Sequence, residues 1–116
     1  MTTLTKSSII PSARTVIAKV AQRHTTTPEE ITSEERREAV AQARQMACWL
    51  LRLQGWHYQD IASYFEQEHG TIMHACFAVN NRMDVDKKWR KLWPEYIRFR
   101  VAGQAYEPIG EEVDRW

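Results

Sequence analysis

The stretch from residue 33 to residue 53, SEERREAVAQARQMACWLLRL, contains neither glycine nor proline and is rich in strong helix formers. At about 100° per residue, its apolar side chains cover more than half of the circumference of a helix. They are Val40, Ala43, Met46, Ala47, Trp49, Leu50, Leu51 and Leu53. A helix with so broad an apolar surface has to be enclosed by other helices. The sequence therefore predicts a long central helix from Ser33 to Leu53, ended by Gly55.

Two shorter amphipathic helices are predicted after the central helix. Their apolar residues repeat at helical spacing: Tyr58, Ile61, Ala62 and Phe65 in the first, and Ile72, Ala75, Cys76, Val79 and Met83 in the second. The segment EQEHG between them contains Gly70, which suits a tight turn because glycine accepts a positive φ. A helix, a turn and a second helix form a helix-turn-helix, in which the second helix presents its N-terminal side chains to the major groove of DNA.

The residues in the position to read DNA bases are Gln67, Glu68, His69 and Thr71. Their side chains can donate to or accept from base edges, and the free N–H groups of a helix start favour a nearby anion. The alternative is an ordinary helical hairpin, since most such hairpins bind nothing.

Two helical segments are predicted before the central helix. An apolar stripe from Val16 to Ala21 indicates a first helix with Ser12 as its N-cap. Thr27 is a second N-cap, and Pro28 has a φ already suited to the first helical position. A single helical turn ending near Ile31 is therefore expected.

A last helical segment is predicted near the C-terminus, capped by Asp84 or Asp86. One strip of it carries Val85, Trp89, Leu92, Trp93, Tyr96 and Arg100. Pro94 removes a backbone donor and clashes with the preceding turn, so a kink or short break is expected there, and a stop at Gly103. Basic residues interleave with Trp and Tyr in this segment, which is also typical of a helix at a membrane surface. We favour packing of the aromatic strip on the bundle, with the Lys and Arg side chains in solvent.

No segment shows the period-2 alternation of a strand, so the predicted fold is all-α, a compact multi-helix bundle. We expect a flexible N-terminus over residues 1–10, one helical domain over 11–103 and an irregular tail over 104–116. No apolar run approaches the ~20 residues needed to cross a bilayer, and the N-terminus lacks the pattern of a signal peptide. A cytoplasmic protein is therefore expected.

Catalysis, cofactor binding and metal binding are not indicated. The sequence has no phosphate-binding glycine loop, no dinucleotide fingerprint and no paired acid motif. His69 and His74 are five residues apart, a spacing that does not place two ligands on one helical face. Cys48 and Cys76 fall inside apolar helical patterns, where a thiol acts as a small hydrophobic group, and we expect both to be reduced.

The charge of the chain is nearly balanced but unevenly distributed. The formal net charge is +1, which is low for a protein that approaches a polyanion. Five acidic residues fall between Glu29 and Glu38, and six basic residues fall between Lys87 and Arg100. Arg37, Arg44 and Arg52 share the polar strip of the central helix, where a solvated face is the simplest interpretation.

Three segments resemble the C-terminal DNA-binding domain of the bacterial replication initiator DnaA. They are ARQMACWLLR from Ala43 to Arg52, DIASYF from Asp60 to Phe65, and EHGTIMHAC from Glu68 to Cys76. The likeness spans about Ser12 to Trp93. It implies an all-α fold, similar also to the Trp repressor, in which the long helix supports a helix-turn-helix that binds double-stranded DNA.

The resemblance also implies individual roles. Arg36 matches an arginine that enters the minor groove, and Arg44, Gln45 and Arg52 match phosphate-contacting positions, with Arg37 beside them. In the major-groove cluster His69 and Thr71 match, and His74 lies in the HAC element of the same signature.

Several positions depart from the family pattern. Gln67 stands in place of an arginine, Glu68 in place of an aspartate and Gly70 in place of Ser or Thr, while the turn is one residue short. Glu34, Glu35 and Glu38 stand where the family has Lys or Arg. Two functions are therefore carried forward: a sequence-specific DNA-binding protein, regulatory or associated with a phage or mobile element, and a module of the same fold that binds a protein partner through its Trp-rich C-terminal helix.

Overall fold

The computed structural model describes the backbone of residues 6 to 101 and the side chains of residues 13 to 101. The helices are α1 Lys6–Arg23, α2 Pro28–Ile31, α3 Glu38–Leu53, α4 Tyr58–Phe65, α5 His69–Val85 and α6 Lys87–Leu92, followed by a 3₁₀ turn at Pro94–Tyr96. No strand occurs in this range, and the predicted all-α fold is confirmed. None of the described helices is both long and apolar enough to span a membrane.

Helix α3 lies at the centre of the bundle, as its broad apolar surface predicts. It packs against α1 and α5, and α4 packs against both α3 and α5. Met46, Trp49 and Leu51 of α3 are fully buried, as are Ile61 of α4 and Val79 of α5. Burial of this apolar surface is the main stabilising contribution to the fold, at about 25 cal/mol per Å².

A buried polar network joins the last described residue to this core. The Trp49 indole Nε1 donates to the Asn80 Oδ1 over 2.8 Å. The Asn80 amide in turn donates to the Val101 carbonyl over 2.9 Å, and the Val101 backbone N–H donates back to Oδ1, also over 2.9 Å. Asn80 is 2% exposed, so these bonds satisfy a polar group that would otherwise be costly to bury. They fix the chain after the 3₁₀ turn against α5.

The aromatic side chains of α6 and its C-cap face the bundle. Trp89 is 5% exposed and Trp93 is fully buried, so neither indole offers a surface to a protein partner. The Trp93 Nε1 donates to the Nε2 of His24 over 3.0 Å, which links α6 to α1. Burial, together with the charge of Arg82, lowers the pKa of His24 from 6.5 to about 4. The imidazole is therefore neutral at pH 7 and able to accept this bond.

Several predicted features of the C-terminal part are confirmed and one is wrong. The Asp86 carboxylate caps α6 by accepting from the Lys88 backbone N–H over 2.9 Å. Helix α6 ends at the residue before Trp93, and Pro94 opens the 3₁₀ turn, so the expected break is present. Val85, however, is 69% exposed and does not belong to the buried strip. The predicted stop at Gly103 lies outside the described residues.

The predicted start of the first helix is also wrong. Helix α1 begins at Lys6, so Ser12 lies inside it. An N-cap side chain contributes only about 1 kcal/mol, which does not prevent a helix from extending further toward its N-terminus. The prediction for α2 is confirmed: Thr27 and Glu30 form a reciprocal capping box, and Pro28 is the first helical residue.

The central helix begins later than predicted, at Glu38 instead of Ser33. The Ser33 hydroxyl donates to the Glu30 carbonyl over 2.7 Å and accepts from the Glu35 backbone N–H over 3.0 Å. These local bonds give the backbone an alternative to the helix. Residues 32–37, hereafter the α2–α3 loop, are therefore irregular despite their high helix propensity.

The two cysteines are buried free thiols on α3 and α5. Burial raises the pKa of Cys76 to about 12 and also raises the pKa of Cys48. Neither thiol is therefore a reactive thiolate at neutral pH.

Candidate nucleic-acid interface

The predicted helix-turn-helix is present as α4, a turn at residues 66–68 and α5. Glu66 closes the turn with a left-handed backbone, φ 58° and ψ 46°, and the Gln67 N–H donates to the Ala62 carbonyl over 2.9 Å. The assignment of Gly70 to the turn is wrong, because Gly70 lies inside the first turn of α5. The second helix is also longer than its predicted apolar stripe and runs to Val85.

The N-terminal end of α5 is exposed to solvent. All six predicted residues of this end, hereafter the α5 reading end, are exposed: Gln67, Glu68, His69, Gly70, Thr71 and His74. The Glu68 side chain makes no cap hydrogen bond, and the first described intrahelical bond runs from the Ile72 N–H to the Glu68 carbonyl over 3.2 Å. The His69 ring stands edge-on to Tyr58, with centroids 5.7 Å apart. This contact orients the His69 ring, and the other side chains of the reading end are exposed to solvent.

An open cleft runs between α3 and α5 beside the α5 reading end. Its lining includes five predicted site residues, which are Arg44, Gln45, Gln67, Thr71 and His74. Side chains that are far apart in the sequence are thus brought to one surface by the packing of α5 on α3. Arg36, Arg37, Arg52, Glu68, His69 and Gly70 do not line this cleft.

Arg44 does not occupy the solvated position that the sequence suggested. Its Nε donates to the Ile31 carbonyl over 2.7 Å, and its Nη2 donates to the Glu30 and Glu35 carbonyls over 3.2 and 3.0 Å. Burial lowers the pKa of Arg44 below its ordinary value. The guanidinium therefore ties the end of α2 and the α2–α3 loop to α3, and a phosphate contact from Arg44 stays a prediction.

Arg52 is also engaged inside the chain. Its Nη1 donates to the Trp56 carbonyl over 2.7 Å, and its guanidinium lies over the Tyr58 ring, 4.5 Å from the centroid. Cation–π contacts of this kind contribute about 0.5–2 kcal/mol. Arg52 thus orients the start of α4, so its predicted influence on DNA can act through the position of α4 as well as by direct contact.

The α2–α3 loop neutralises part of its own charge. Arg37, the N-cap residue of α3, pairs with the carboxylates of Glu30 over 2.5 Å and of Glu35 over 2.9 Å. The hydrogen bonds and charges of these two carboxylates, Glu35 first, raise the pKa of Arg37. Arg36 is exposed beside them, while Glu34 and Glu38 remain at the surface of the same segment.

Sequence reasoning did not single out Arg82, which contacts Gln45 of the cleft lining. Its Nη1 donates to the Gln45 Oε1 over 2.6 Å, across the packed helices α5 and α3. The sequence did contain a signal for Arg82. One face of α5, the face that meets α3, carries residues at helical spacing, which are Thr71, Ala75, Ala78 and Arg82. A cation at the end of a row of small side chains indicates a polar contact with the neighbouring helix. In the described range, no group of three or more His, Cys, Asp or Glu side chains could hold a metal ion.

The fold and this surface define a helix-turn-helix protein of the DNA-binding class. A family model described as the helix-turn-helix of bacterial DnaA protein matches residues 13–79. The chain is 32% identical over 99 residues to a chromosomal replication initiator protein DnaA from Deinococcus radiodurans, a match that covers 84% of this chain and 20% of that protein. The chain belongs to the DnaA C-terminal helix-turn-helix family, whose domain binds double-stranded DNA and is not itself catalytic.

Proposed function

We propose that this chain binds double-stranded DNA sequence-specifically, with the N-terminal end of α5 in the major groove. The main support is the exposure of all six residues of the α5 reading end. Three of them also share a cleft with Arg44 and Gln45 of α3. Major-groove recognition needs polar side chains at the start of a helix, together with a neighbouring surface that contacts phosphates. We further propose a regulatory role in the cytoplasm, on the DNA of the chromosome or of a phage or mobile element.

Base readout is assigned to the side chains that the fold leaves unengaged. Gln67 can pair with an adenine edge through both atoms of its amide, and Glu68 can accept from the amino group of cytosine. Thr71 and His74 lie one helical turn apart and supply further donors and acceptors. Arg36, exposed in the α2–α3 loop, is assigned to the minor groove, where a positive side chain is attracted by the negative potential.

The acidic residues of the α2–α3 loop region are expected to weaken this binding. From residue 29 to residue 38 there are five Glu and two Arg, so the formal charge of the segment is −5 + 2 = −3. Arg37 neutralises part of the charge of Glu30 and Glu35. Glu34 and Glu38 are exposed to solvent, where the phosphates of bound DNA would lie. Each phosphate contact that is missing lowers the dependence of log affinity on log salt by about 0.9. We therefore propose modest affinity with a shallow salt dependence.

The test is a selection of binding sites from random duplex DNA, followed by affinity measurements on the selected and scrambled duplexes. Thr71→Ala should reduce the preference for the selected site by about 1–3 kcal/mol, because it removes a base contact. Arg36→Ala should weaken both duplexes, because the charge of the arginine attracts any duplex. Recovery of no enriched sequence, with equal affinity of wild type and Thr71→Ala on both duplexes, would overturn sequence-specific binding.

A further inference from the structure

The hydrogen bond from Arg82 to Gln45 constrains the polarity of the cleft. A guanidinium has no acceptor atom, so the atom of Gln45 that it contacts, 2.6 Å away, must be the carbonyl Oε1. The amide NH₂ group is then the part of Gln45 left to other partners. Gln45 lines the cleft together with Thr71 and His74. The NH₂ group is therefore the part of Gln45 that can donate to a ligand in the cleft.

The Arg82 guanidinium also lies over an aromatic ring of the core. It lies 5.1 Å from the centroid of the Trp89 ring, and Trp89 is 5% exposed in the core. The Arg82 side chain is half-buried, and burial lowers its pKa below its ordinary value. An arginine guanidinium nevertheless stays charged at pH 7. A fixed, charged donor between a buried indole and a surface glutamine restricts the glutamine to one orientation.

The fixed orientation of the Gln45 amide suits a ligand whose atoms only accept hydrogen bonds. The non-bridging oxygens of a DNA phosphate are acceptors only, so a glutamine serves them through its NH₂ group and not through its carbonyl. A glutamine that rotates freely would present the wrong end part of the time and would lose conformational entropy on binding.

We infer that Arg82 is a positioning residue, which orients the Gln45 amide so that its NH₂ group donates to a phosphate of the DNA backbone. This inference rests on the proposed function and assigns a role within the same surface. Arg82 acts through Gln45 and does not itself touch the DNA.

The test measures the affinity of variants of Gln45 and Arg82 for one duplex at several salt concentrations, with melting temperatures as a check on folding. Gln45→Glu keeps an acceptor for Arg82 but offers a carboxylate to the phosphate. It should melt at or above the wild-type temperature, because the bond becomes charge-assisted, and bind at least about 10-fold more weakly. Arg82→Met keeps the length of the side chain but removes the donor, and should bind about 5- to 10-fold more weakly. Arg82→Lys should recover most of that loss.

Coupling separates positioning from direct contact. In a Gln45→Ala background, Arg82→Met should cause little further loss, because the two residues act through one contact. In Arg82→Met, the slope of log affinity against log salt should differ from the wild-type slope by much less than 0.9, the value expected when a cation loses its phosphate contact. Arg98→Met, which removes an exposed cation beyond α6, is the matched control and should change affinity less than 2-fold.

Three results would overturn the inference. In the first, Arg82→Met weakens binding equally with and without Gln45 and lowers the salt slope by about 0.9, so that Arg82 itself contacts DNA. In the second, Gln45→Glu and Arg82→Met bind like the wild type while Arg36→Ala binds more weakly, which removes the positioning role and leaves the proposed function intact. In the third, the folded wild type binds no duplex at low salt, which overturns both proposals.

Discussion

The α2–α3 loop and the α5 reading end are both exposed and both polar, but their side chains are used differently. In the loop, Arg37 pairs with Glu30 and Glu35, and Arg44 binds three backbone carbonyls of the loop and of α2. At the reading end only the His69 ring has a described partner, the Tyr58 ring. The loop is shaped by its own contacts, whereas the polar side chains of the reading end are exposed to solvent. An exposed polar side chain is thus not always available to a ligand.

The largest effect that this comparison predicts is on stability. Arg44→Met removes three hydrogen bonds from a charged donor and should lower the free energy of unfolding by about 2–3 kcal/mol. Urea unfolding measures this change. Thr71→Ala at the reading end is the matched control and should stay within about 0.5 kcal/mol of wild type. Equal stabilities for the two variants would show that Arg44 does not hold the loop.

The second prediction reverses the charge of the loop region. Glu34→Lys, Glu35→Lys and Glu38→Lys together change the local charge by six units, within the ~10 Å Debye length of 0.1 M salt. Affinity for duplex DNA should rise, and the slope of log affinity against log salt should steepen by about 2–3 if two or three new phosphate contacts form. Fluorescence anisotropy at several salt concentrations measures both quantities.

Three Glu→Gln changes at the same positions are the control for this reversal. They remove repulsion without adding cations, so affinity should rise while the slope remains close to that of wild type. If the triple-Lys protein binds no duplex at low salt, α5 is not presented to DNA in the proposed way.

The third prediction concerns the dependence of stability on pH. His24 packs against α6 and belongs to neither region, so its protonation should destabilise the whole fold and thereby both regions. Its folded pKa is about 4, below the ordinary value of 6.5. Between pH 4 and pH 6.5, His24 is therefore protonated in the unfolded chain but not in the folded chain. Stability should therefore fall as the pH falls from about 6.5 to 4. His24→Gln, whose amide can accept from Trp93, should melt with a weaker dependence on pH over this range. An unchanged pH dependence would show that His24 does not account for it.

The smallest predicted effect is at Gly70. Its φ is not positive, and a Cβ built there meets no atom within 4 Å. Because glycine is unfavourable inside a helix, Gly70→Ala should raise the free energy of unfolding by about 0.5–1 kcal/mol. A thermal melt measures this. A loss of stability would show that the folded protein does not tolerate a side chain at this position. Reduced DNA affinity in a more stable protein would show that the backbone at Gly70 approaches DNA closely.

Helical periodicity was enough to predict the bundle and the helix-turn-helix. The apolar spacings predicted the buried faces of α3, α4 and α5 because periodicity follows directly from which side of a helix is covered. Helix ends were less predictable. Ser33 can stabilise either a helix start or a local turn, and the choice depends on Arg44, which reaches back from α3 to the loop carbonyls.

The candidate site was predictable by position but not by contact. The helical wheel placed Arg37, Arg44 and Arg52 on a polar strip, yet it could not show that each of them has partners within the chain. Those partners include Glu30, Trp56 and Tyr58, which the wheel of α3 does not contain. Likewise, the contact of Arg82 with Gln45 forms only where α5 packs on α3.

The most direct test of the central claim is an NMR titration of the ¹⁵N-labelled protein with a duplex obtained by selection. We expect the largest backbone amide shifts at residues 67–71 and at Arg36. Residues 87–91 carry four exposed cations but lie at the other end of α5, which has 17 residues and is therefore about 25 Å long. Their amide signals should shift little. Maximal shifts at residues 87–91, with none at the α5 reading end, would contradict the account.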